Sequence, residues 1–178
     1  MSIAGAVLAL RGAKRIDTAA GIAQVAAGRF IDVLDGIVAR KTGQTSDFDA
    51  LLDAGLDKAV TAIILYEIKS KNLAPTEIIA AITAFNGINA VASAKTIVEA
   101  GDETVRPEIS GKLALAFETS SLLAHLLGSR LETTGQSQLA RVARGIGNLA
   151  FAVSLPFAVK STLSYIERAR QSKRRNDK

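Results

Sequence analysis

The stretch from Arg29 to Lys58 reads RFIDVLDGIVARKTGQTSDFDALLDAGLDK and places many aspartates among apolar residues. Asp32 and Asp35 are spaced i, i+3, and Asp53 and Asp57 are spaced i, i+4. These are the spacings of neighbours on one face of an α-helix. The polar segment between the pairs is short enough to make the two helices antiparallel neighbours. The sequence therefore predicts two carboxylate pairs that meet near the ends of adjacent helices.

Four carboxylates packed together repel one another unless a cation neutralises them. One or two Mg²⁺ or Mn²⁺ ions would do so and would also bind phosphate oxygens. Gly36 has no side chain and would let a ligand approach the backbone closely, and Arg40 is suited to pair with a phosphate. Spacing alone is also compatible with solvated charges on two amphipathic helices, and without further evidence it favours that alternative.

The composition excludes several other kinds of site. The chain of 178 residues is the size of one domain, and it contains no cysteine and one histidine. Disulfides, thiolate metal sites and cysteine nucleophiles are therefore absent, and a two-histidine metal site is impossible. Any bound metal must be held mainly by oxygen, which favours a hard ion such as Mg²⁺ or Mn²⁺.

Apolar residues fall into six blocks of helical length, and no strand-like alternation is present. The blocks lie at about 2–10, 17–40, 48–68, 76–94, 111–128 and 139–166. The mean hydropathy of +0.24 suits either a soluble core or a membrane bundle. Charges interrupt the blocks, and each would cost roughly 2.5–3.5 kcal/mol at the centre of a membrane helix. Hydropathy therefore leaves the membrane question undecided.

The pattern from Asp32 to Asp57 resembles the signature of the CDP-alcohol phosphatidyltransferases. That signature reads Asp-x-x-Asp-Gly-x-x-Ala-Arg, eight residues, Gly, three residues, Asp, three residues, Asp. All spacings are kept, and every fixed position matches except Asp49, where the family has glycine. The motif covers 26 residues, and the helix count extends the resemblance over the chain.

The resemblance implies an all-α, six-helix transmembrane bundle, here with a short or truncated first helix, that is commonly a homodimer. It implies transfer of a phosphatidyl group from CDP-diacylglycerol to a small alcohol acceptor, with release of CMP. By position, Asp32, Asp35 and Asp53 resemble ligands of two Mg²⁺ or Mn²⁺ ions. Asp57 resembles the general base, with a share in metal binding. The CDP group would be held by the remaining motif positions, which are Gly36, Ala39, Arg40 and Asp49.

The acceptor is less clearly indicated. The segments 109–112 and 154–165 look like the glycerol-phosphate branch of the family, so we predict glycerol 3-phosphate. Lys95, Arg106 and Lys112 are candidate partners for its phosphate, although basic residues at a membrane interface would look the same. Inositol phosphate, serine and phosphatidylglycerol remain alternative acceptors.

We predict a membrane domain over residues 1–166 and a basic tail over 167–178. The charge of the tail favours a cytoplasmic active site, and the tail lacks the interleaved aromatic residues typical of nucleic-acid binding. We expect His125, which lies among leucines, to be packed between helices. Two alternatives remain: a catalytically impaired relative that binds CDP-lipid, prompted by Asp49, and a soluble helical protein that binds a metal or a partner.

Overall fold

The computed structural model describes the backbone of residues 3–42, 47–100 and 109–176 and the side chains of residues 4–31, 55–97 and 109–171. Within those ranges the chain forms six α-helices and no strand, so the predicted all-α class is confirmed. The helices are α1 (Ile3–Ala13), α2 (Ala19–Thr42), α3 (Asp47–Ser70), α4 (Thr76–Ala100), α5 (Ile109–Thr133) and α6 (Ser137–Asn176).

Local residue chemistry explains several of the helix ends. The Thr18 hydroxyl accepts a hydrogen bond from the Gly21 amide at 3.0 Å, which caps the start of α2. Asn72 follows α3 and Gly135 follows α5, and both have positive φ, at 51° and 81°. This left-handed conformation lets later amides bond back to the last helical carbonyls, so both helices stop there.

The last two helices are longer than their apolar patterns indicate. α6 has 40 residues and is about 60 Å long at a rise of about 1.5 Å per residue. It continues to Asn176 because the charged residues after Ile166 are compatible with a helix even where the apolar pattern has ended. The division into a domain over 1–166 and a tail over 167–178 stays a prediction.

One compact unit comprises Met1–Thr76 and Leu126–Ala140. Within it, α1 and α2 are packed backbone to backbone through small residues. A Cβ atom at Gly12 would lie 2.6 Å from the Gly21 carbonyl oxygen, and one at Gly28 would lie 2.6 Å from the Gly5 carbonyl oxygen. Only glycine fits at these two crossing points, and this close approach is typical of helix pairs in membranes.

The second compact unit comprises Glu77–His125 and Arg141–Lys178. In it, α6 is buried along a face of small residues and exposed along a face of large apolar residues. The buried face carries Ala143, Gly147, Ser154, Ala158 and Ser161. The exposed face carries Val142, Ile146, Leu149, Val153 and Leu163. This is the reverse of the arrangement in a water-soluble bundle, whose large apolar residues are mostly buried.

Two helical stretches of the described chain, Thr76–Ile97 and Ser137–Gln171, are long and apolar enough to cross a membrane. α1 has 11 residues, fewer than the roughly 20 that a span requires, as its short apolar block predicts. The predicted bundle of six spans is therefore supported for two helices by length and composition and is not confirmed as a whole.

Candidate active site

All eight residues of the predicted site lie on two consecutive helices. α2 carries Asp32, Asp35, Gly36, Ala39 and Arg40, and α3 carries Asp49, Asp53 and Asp57. Because both stretches are helical, each aspartate pair shares one face of its helix, as the spacing predicts. Asp57 is the member whose side chain is described, and the other seven lie outside the described side chains. Convergence of the two pairs stays a prediction.

Asp57 forms an ion pair with an arginine of the preceding helix. Nη1 of Arg29 donates a hydrogen bond to Oδ1 of Asp57. The Arg29 side chain is 17% exposed, and the Asp57 side chain is 34% exposed. The carboxylate is therefore partly shielded and electrostatically compensated, yet still accessible to a ligand.

The same guanidinium also binds Thr61, one helical turn after Asp57. Nη2 of Arg29 donates to the Thr61 hydroxyl at 2.9 Å, and that hydroxyl donates to the Asp57 carbonyl oxygen at 2.8 Å. Arg29 thus bridges two residues of α3 from its position on α2. We call Arg29, Asp57 and Thr61 the α2–α3 bridge.

The bridge confirms that α2 and α3 are spatial neighbours at this level of the site. Our sequence reasoning missed Arg29 and Thr61, because hydropathy does not show which charged side chain a carboxylate pairs with. A usable signal was present: Arg29 precedes Asp32 by three residues, and Thr61 follows Asp57 by four. Both residues therefore lie on the helix faces that carry the motif aspartates.

The family comparison supplies the identity that the geometry alone does not. The family model described as CDP-alcohol phosphatidyltransferase matches residues 1–159. This chain belongs to the CDP-alcohol phosphatidyltransferase family. The comparisons with curated proteins and with solved structures gave no significant match.

Membership in the family defines the general activity. The protein is an enzyme, a transferase of substituted phosphate groups, and the family reaction moves a phosphatidyl group from a CDP-alcohol to an alcohol. CDP-alcohol phosphatidyltransferases are membrane proteins that generally depend on a divalent metal. The alternative of a soluble partner-binding protein is not supported by this assignment.

The residues available in the transferase fit a hard divalent ion by their chemistry. The motif supplies aspartate oxygens, the ligands that Mg²⁺ and Mn²⁺ prefer. In the part of the chain with described side chains, no three metal-ligating groups cluster. Asp57 is the described member of the set, and the Oδ1 atom of its carboxylate is bound by Arg29. Metal binding by Asp57 would therefore use the lone pairs that Arg29 leaves, on Oδ2 or on the other side of Oδ1.

The second compact unit of the transferase encloses polar groups, and of these our sequence analysis predicted burial only for His125. Glu118 on α5 is 4% exposed, and Nδ2 of Asn86 on α4 lies 3.4 Å from its Oε2 atom. Further buried polar residues of this unit are Thr96, Ser110, Ser121, His125, Ser154, Ser161 and Thr162. Our sequence analysis did not use the available signal, which is the recurrence of small and polar residues at helical spacing along α5 and α6.

His125 is 2% exposed and packs against α6, in agreement with the expectation that it lies between helices.

The positions of the candidate partners for the acceptor phosphate do not distinguish an acceptor site from a membrane interface. Lys95 and Lys112 are both exposed, on the last turns of α4 and the first turn of α5, and Arg106 lies outside the described residues. Their position fits an acceptor site and a membrane interface equally, so both interpretations stay open.

Proposed function

We propose that this transferase moves the phosphatidyl group of CDP-diacylglycerol to glycerol 3-phosphate and releases CMP. The α2–α3 bridge is the observation that carries the proposal. It places the carboxylate of the last motif aspartate, Asp57, between the two helices that bear the whole signature. A partly exposed carboxylate held in this way is suited to act on a substrate bound beside it.

In the proposed reaction the acceptor hydroxyl attacks the lipid-side phosphorus of the donor. A new phosphorus–oxygen bond forms, the pyrophosphate bond to CMP breaks, and CMP leaves with the bond electrons. Asp57 takes the proton from the attacking hydroxyl as general base. Gly36, Ala39 and Arg40 would hold the CDP group, with Asp49 altering the contacts at the position where the family has glycine.

Two Mg²⁺ or Mn²⁺ ions, when bound, would neutralise the pyrophosphate and stabilise the charge on the departing CMP oxygen. We propose that Asp32, Asp35, Asp53 and Asp57 hold them. The support is the oxygen-only donor set on two helices and the metal dependence general to the family. This assignment explains why these four carboxylates are tolerated on two helices of a membrane protein.

We further propose a multi-pass membrane protein whose active site faces the cytoplasm. The reversed burial of α6 supports this location, because large apolar side chains are stable on the outside of a helix only when lipid or protein covers them. The family resemblance supports homodimer formation and a six-span bundle. A domain over 1–166 followed by a basic tail over 167–178 fits the family match, which ends at residue 159.

Two observations favour a second candidate function, a catalytically impaired transferase that binds CDP-lipid. Asp49 adds a negative charge where the family signature has glycine, and Arg29 binds the carboxylate that the reaction would use. Such a protein would retain affinity for CDP-diacylglycerol without releasing CMP. Glycerol 3-phosphate could equally be replaced as acceptor by inositol phosphate, serine or phosphatidylglycerol.

The deciding experiment is a CMP-release assay on the purified full chain in lipid nanodiscs. CDP-diacylglycerol, Mg²⁺ or Mn²⁺, and one acceptor at a time are supplied, and CMP is measured by chromatography. We expect release that depends on glycerol 3-phosphate, and a loss of about 10²–10⁴-fold in turnover for Asp57→Asn. Asp17→Asn is the matched control, because Asp17 is an exposed carboxylate in the segment between α1 and α2.

Each other outcome has a definite meaning. Binding of CDP-diacylglycerol without CMP release from any acceptor would establish the impaired transferase instead. Release with a different acceptor would correct the substrate while keeping the reaction. Full activity of Asp57→Asn would contradict the role of Asp57 as general base.

A further inference from the structure

Arg29 contacts α3 with two different nitrogen atoms, and the two partners are one helical turn apart. Nη1 binds the Asp57 carboxylate, and Nη2 binds the Thr61 hydroxyl at 2.9 Å. The spacing of Asp57 and Thr61 is i, i+4, so both lie on the face of α3 that meets Arg29. The arginine is outside the family signature, three residues before its first aspartate.

Thr61 has a defined orientation because its hydroxyl is used in both directions. It accepts from Arg29 and donates to the Asp57 carbonyl oxygen at 2.8 Å. The proton of the hydroxyl therefore points along α3, and its lone pair is directed at the guanidinium. Thr61 thus fixes one end of Arg29, and the other end of the planar guanidinium is fixed as a consequence.

The contact with Arg29 also orients the Asp57 carboxylate. Arg29 donates to Oδ1, so rotation of the carboxylate would break the ion pair, and the orientation of Oδ2 is set. A lysine in place of Arg29 would retain the positive charge, but its single ammonium group lacks the planar fork that matches two acceptors one turn apart. The geometry of the bridge therefore requires arginine and a hydroxyl rather than charge alone.

We propose that Arg29 is a positioning residue of the transferase: it holds Asp57 in one orientation, so that Oδ2 is the oxygen that takes the proton from the acceptor. This inference rests on the proposed function of Asp57 as general base. It adds Arg29 and Thr61 as the two residues that hold Asp57 in place. A base with a fixed orientation matters because misplacement by about 1 Å can cost about 10²-fold in rate.

The kinetic test compares variants of Arg29 in the CMP-release assay with CDP-diacylglycerol, glycerol 3-phosphate and Mn²⁺. We expect Arg29→Gln to lower kcat about 10²-fold, with the KM for CDP-diacylglycerol changed by less than about 3-fold. Arg29→Lys should be intermediate, with a loss of about 10-fold, because it keeps the charge and loses the fork.

Thr61 provides an independent arm if the Arg29 variants fold poorly. Thr61→Val removes the hydroxyl at nearly constant volume and should lower kcat by about 5–10-fold, whereas Thr61→Ser keeps the hydroxyl and should be close to wild type. Arg130→Gln is the matched control, because Arg130 also lies near a threonine hydroxyl, that of Thr133 at 3.4 Å, in an exposed position.

A second readout does not involve activity. Thermal unfolding of the full chain is measured in detergent with EDTA for Arg29→Gln, Asp57→Asn and the double variant. We expect each single variant to lower the midpoint, and the double variant to lose less than the sum, because Arg29 and Asp57 each leave the other uncompensated. Additive losses would overturn the existence of a coupled pair.

The outcomes separate this inference from the function on which it rests. A wild-type chain that releases no CMP with any acceptor overturns the proposed function and, with it, the positioning role. An active wild type with unchanged kcat in Arg29→Gln overturns the inference alone. A raised KM at constant kcat would make Arg29 a donor-binding residue, and faster turnover would show that it obstructs Asp57; both results also overturn the inference.

Discussion

The contact between α2 and α3 and the contact between α5 and α6 hold helix pairs together in different ways. At the α2–α3 bridge, Arg29, Asp57 and Thr61 satisfy one another through an ion pair and two hydrogen bonds. Charge and direction define this contact. Removing Arg29 or Asp57 leaves the other charge partly buried without its compensation, which is costly.

The contact between α5 and α6 depends on shape. A Cβ atom at Gly147 would lie 2.8 Å from Cδ2 and 2.9 Å from Nε2 of His125, so the imidazole lies directly against the α6 backbone. Nε2 of His125 has no hydrogen-bond partner among the described residues, and the same holds for the buried hydroxyls of Ser121, Ser161 and Thr162. These four buried atoms have no partner in the described part of the chain, whereas the His125 side chain also forms a hydrogen bond with Asn148 of α6.

The α2–α3 bridge is thus defined mainly by the geometry of its hydrogen bonds and ion pair, and the α5–α6 contact mainly by steric complementarity. The first fits a site where a carboxylate must be held at a given angle. The second fits a scaffold in which helices approach closely through small residues. We therefore expect the α5–α6 contact to tolerate loss of an unpartnered hydroxyl but not added volume, and we expect the α2–α3 bridge to be sensitive to loss of a hydroxyl.

The largest effect on stability is expected from added volume at Gly147. Gly147→Val would drive its side chain into the His125 ring and toward the Ser121 carbonyl oxygen, which lies 3.1 Å from the Cβ position. We expect a loss of about 3 kcal/mol in the free energy of unfolding, measured by denaturation in detergent.

Gly145→Val is the matched control for this prediction. Gly145 lies two residues earlier on the same helix, and a Cβ atom there meets nothing within 4 Å. The same substitution should change stability by no more than about 0.5 kcal/mol. Equal losses for both variants would mean that helix propensity, rather than contact with His125, determines the result.

The next largest effect on stability is expected from replacing threonine by valine, once in the α2–α3 bridge and once on α6. Thr61→Val removes a hydroxyl that bonds Arg29 and the Asp57 carbonyl, so we expect a loss of about 1–2 kcal/mol. Thr162→Val removes a buried hydroxyl for which the described residues provide no partner, so we expect a gain of up to about 1 kcal/mol. Denaturation in detergent measures both, and losses of equal size would contradict the contrast between the two contacts.

The sequence was sufficient for the fold class, for the order of the six helices in the described residues, and for which of these helices carry the aspartate motif. Periodicity predicts these because a helix buries a face determined by residues close in the chain. The spacing of Asp53 and Asp57 also places them on one face of α3 without any knowledge of a partner. The signature then indicated the family, which the match over residues 1–159 confirms.

Periodicity does not predict which side chains meet across helices. Arg29 and Asp57 are 28 residues apart, so their pairing depends on the rotation of two helices about their axes. The contact of His125 with Gly147 depends in the same way on how α5 and α6 cross. The extension of α6 to Asn176 was missed for a local reason, since charged residues form helices without an apolar pattern.

The smallest effect is expected for a charged contact at the surface. Nζ of Lys71 donates to Oδ1 of Asp17 at 2.8 Å and to the Lys14 carbonyl oxygen at 2.8 Å, so it joins the end of α3 to the segment between α1 and α2. The hydrogen bond from Lys71 lowers the pKa of the Asp17 carboxyl below its usual 3.8. A carboxyl with a depressed pKa in the folded state stabilises the fold above the unfolded pKa.

This contribution is lost as the pH falls through the depressed pKa, because the carboxyl is then protonated in both states. Asp17→Asn should therefore lower the midpoint of thermal unfolding slightly at neutral pH, and its difference from wild type should shrink once the pH falls below 3.8. In a Lys71→Gln background the same substitution should have a smaller effect at neutral pH, since the hydrogen-bond donor is gone. A difference between variant and wild type that stays constant down to low pH would contradict this prediction. It would show that Asp17 stabilises the fold through its shape or backbone contacts, and that its charge makes no contribution.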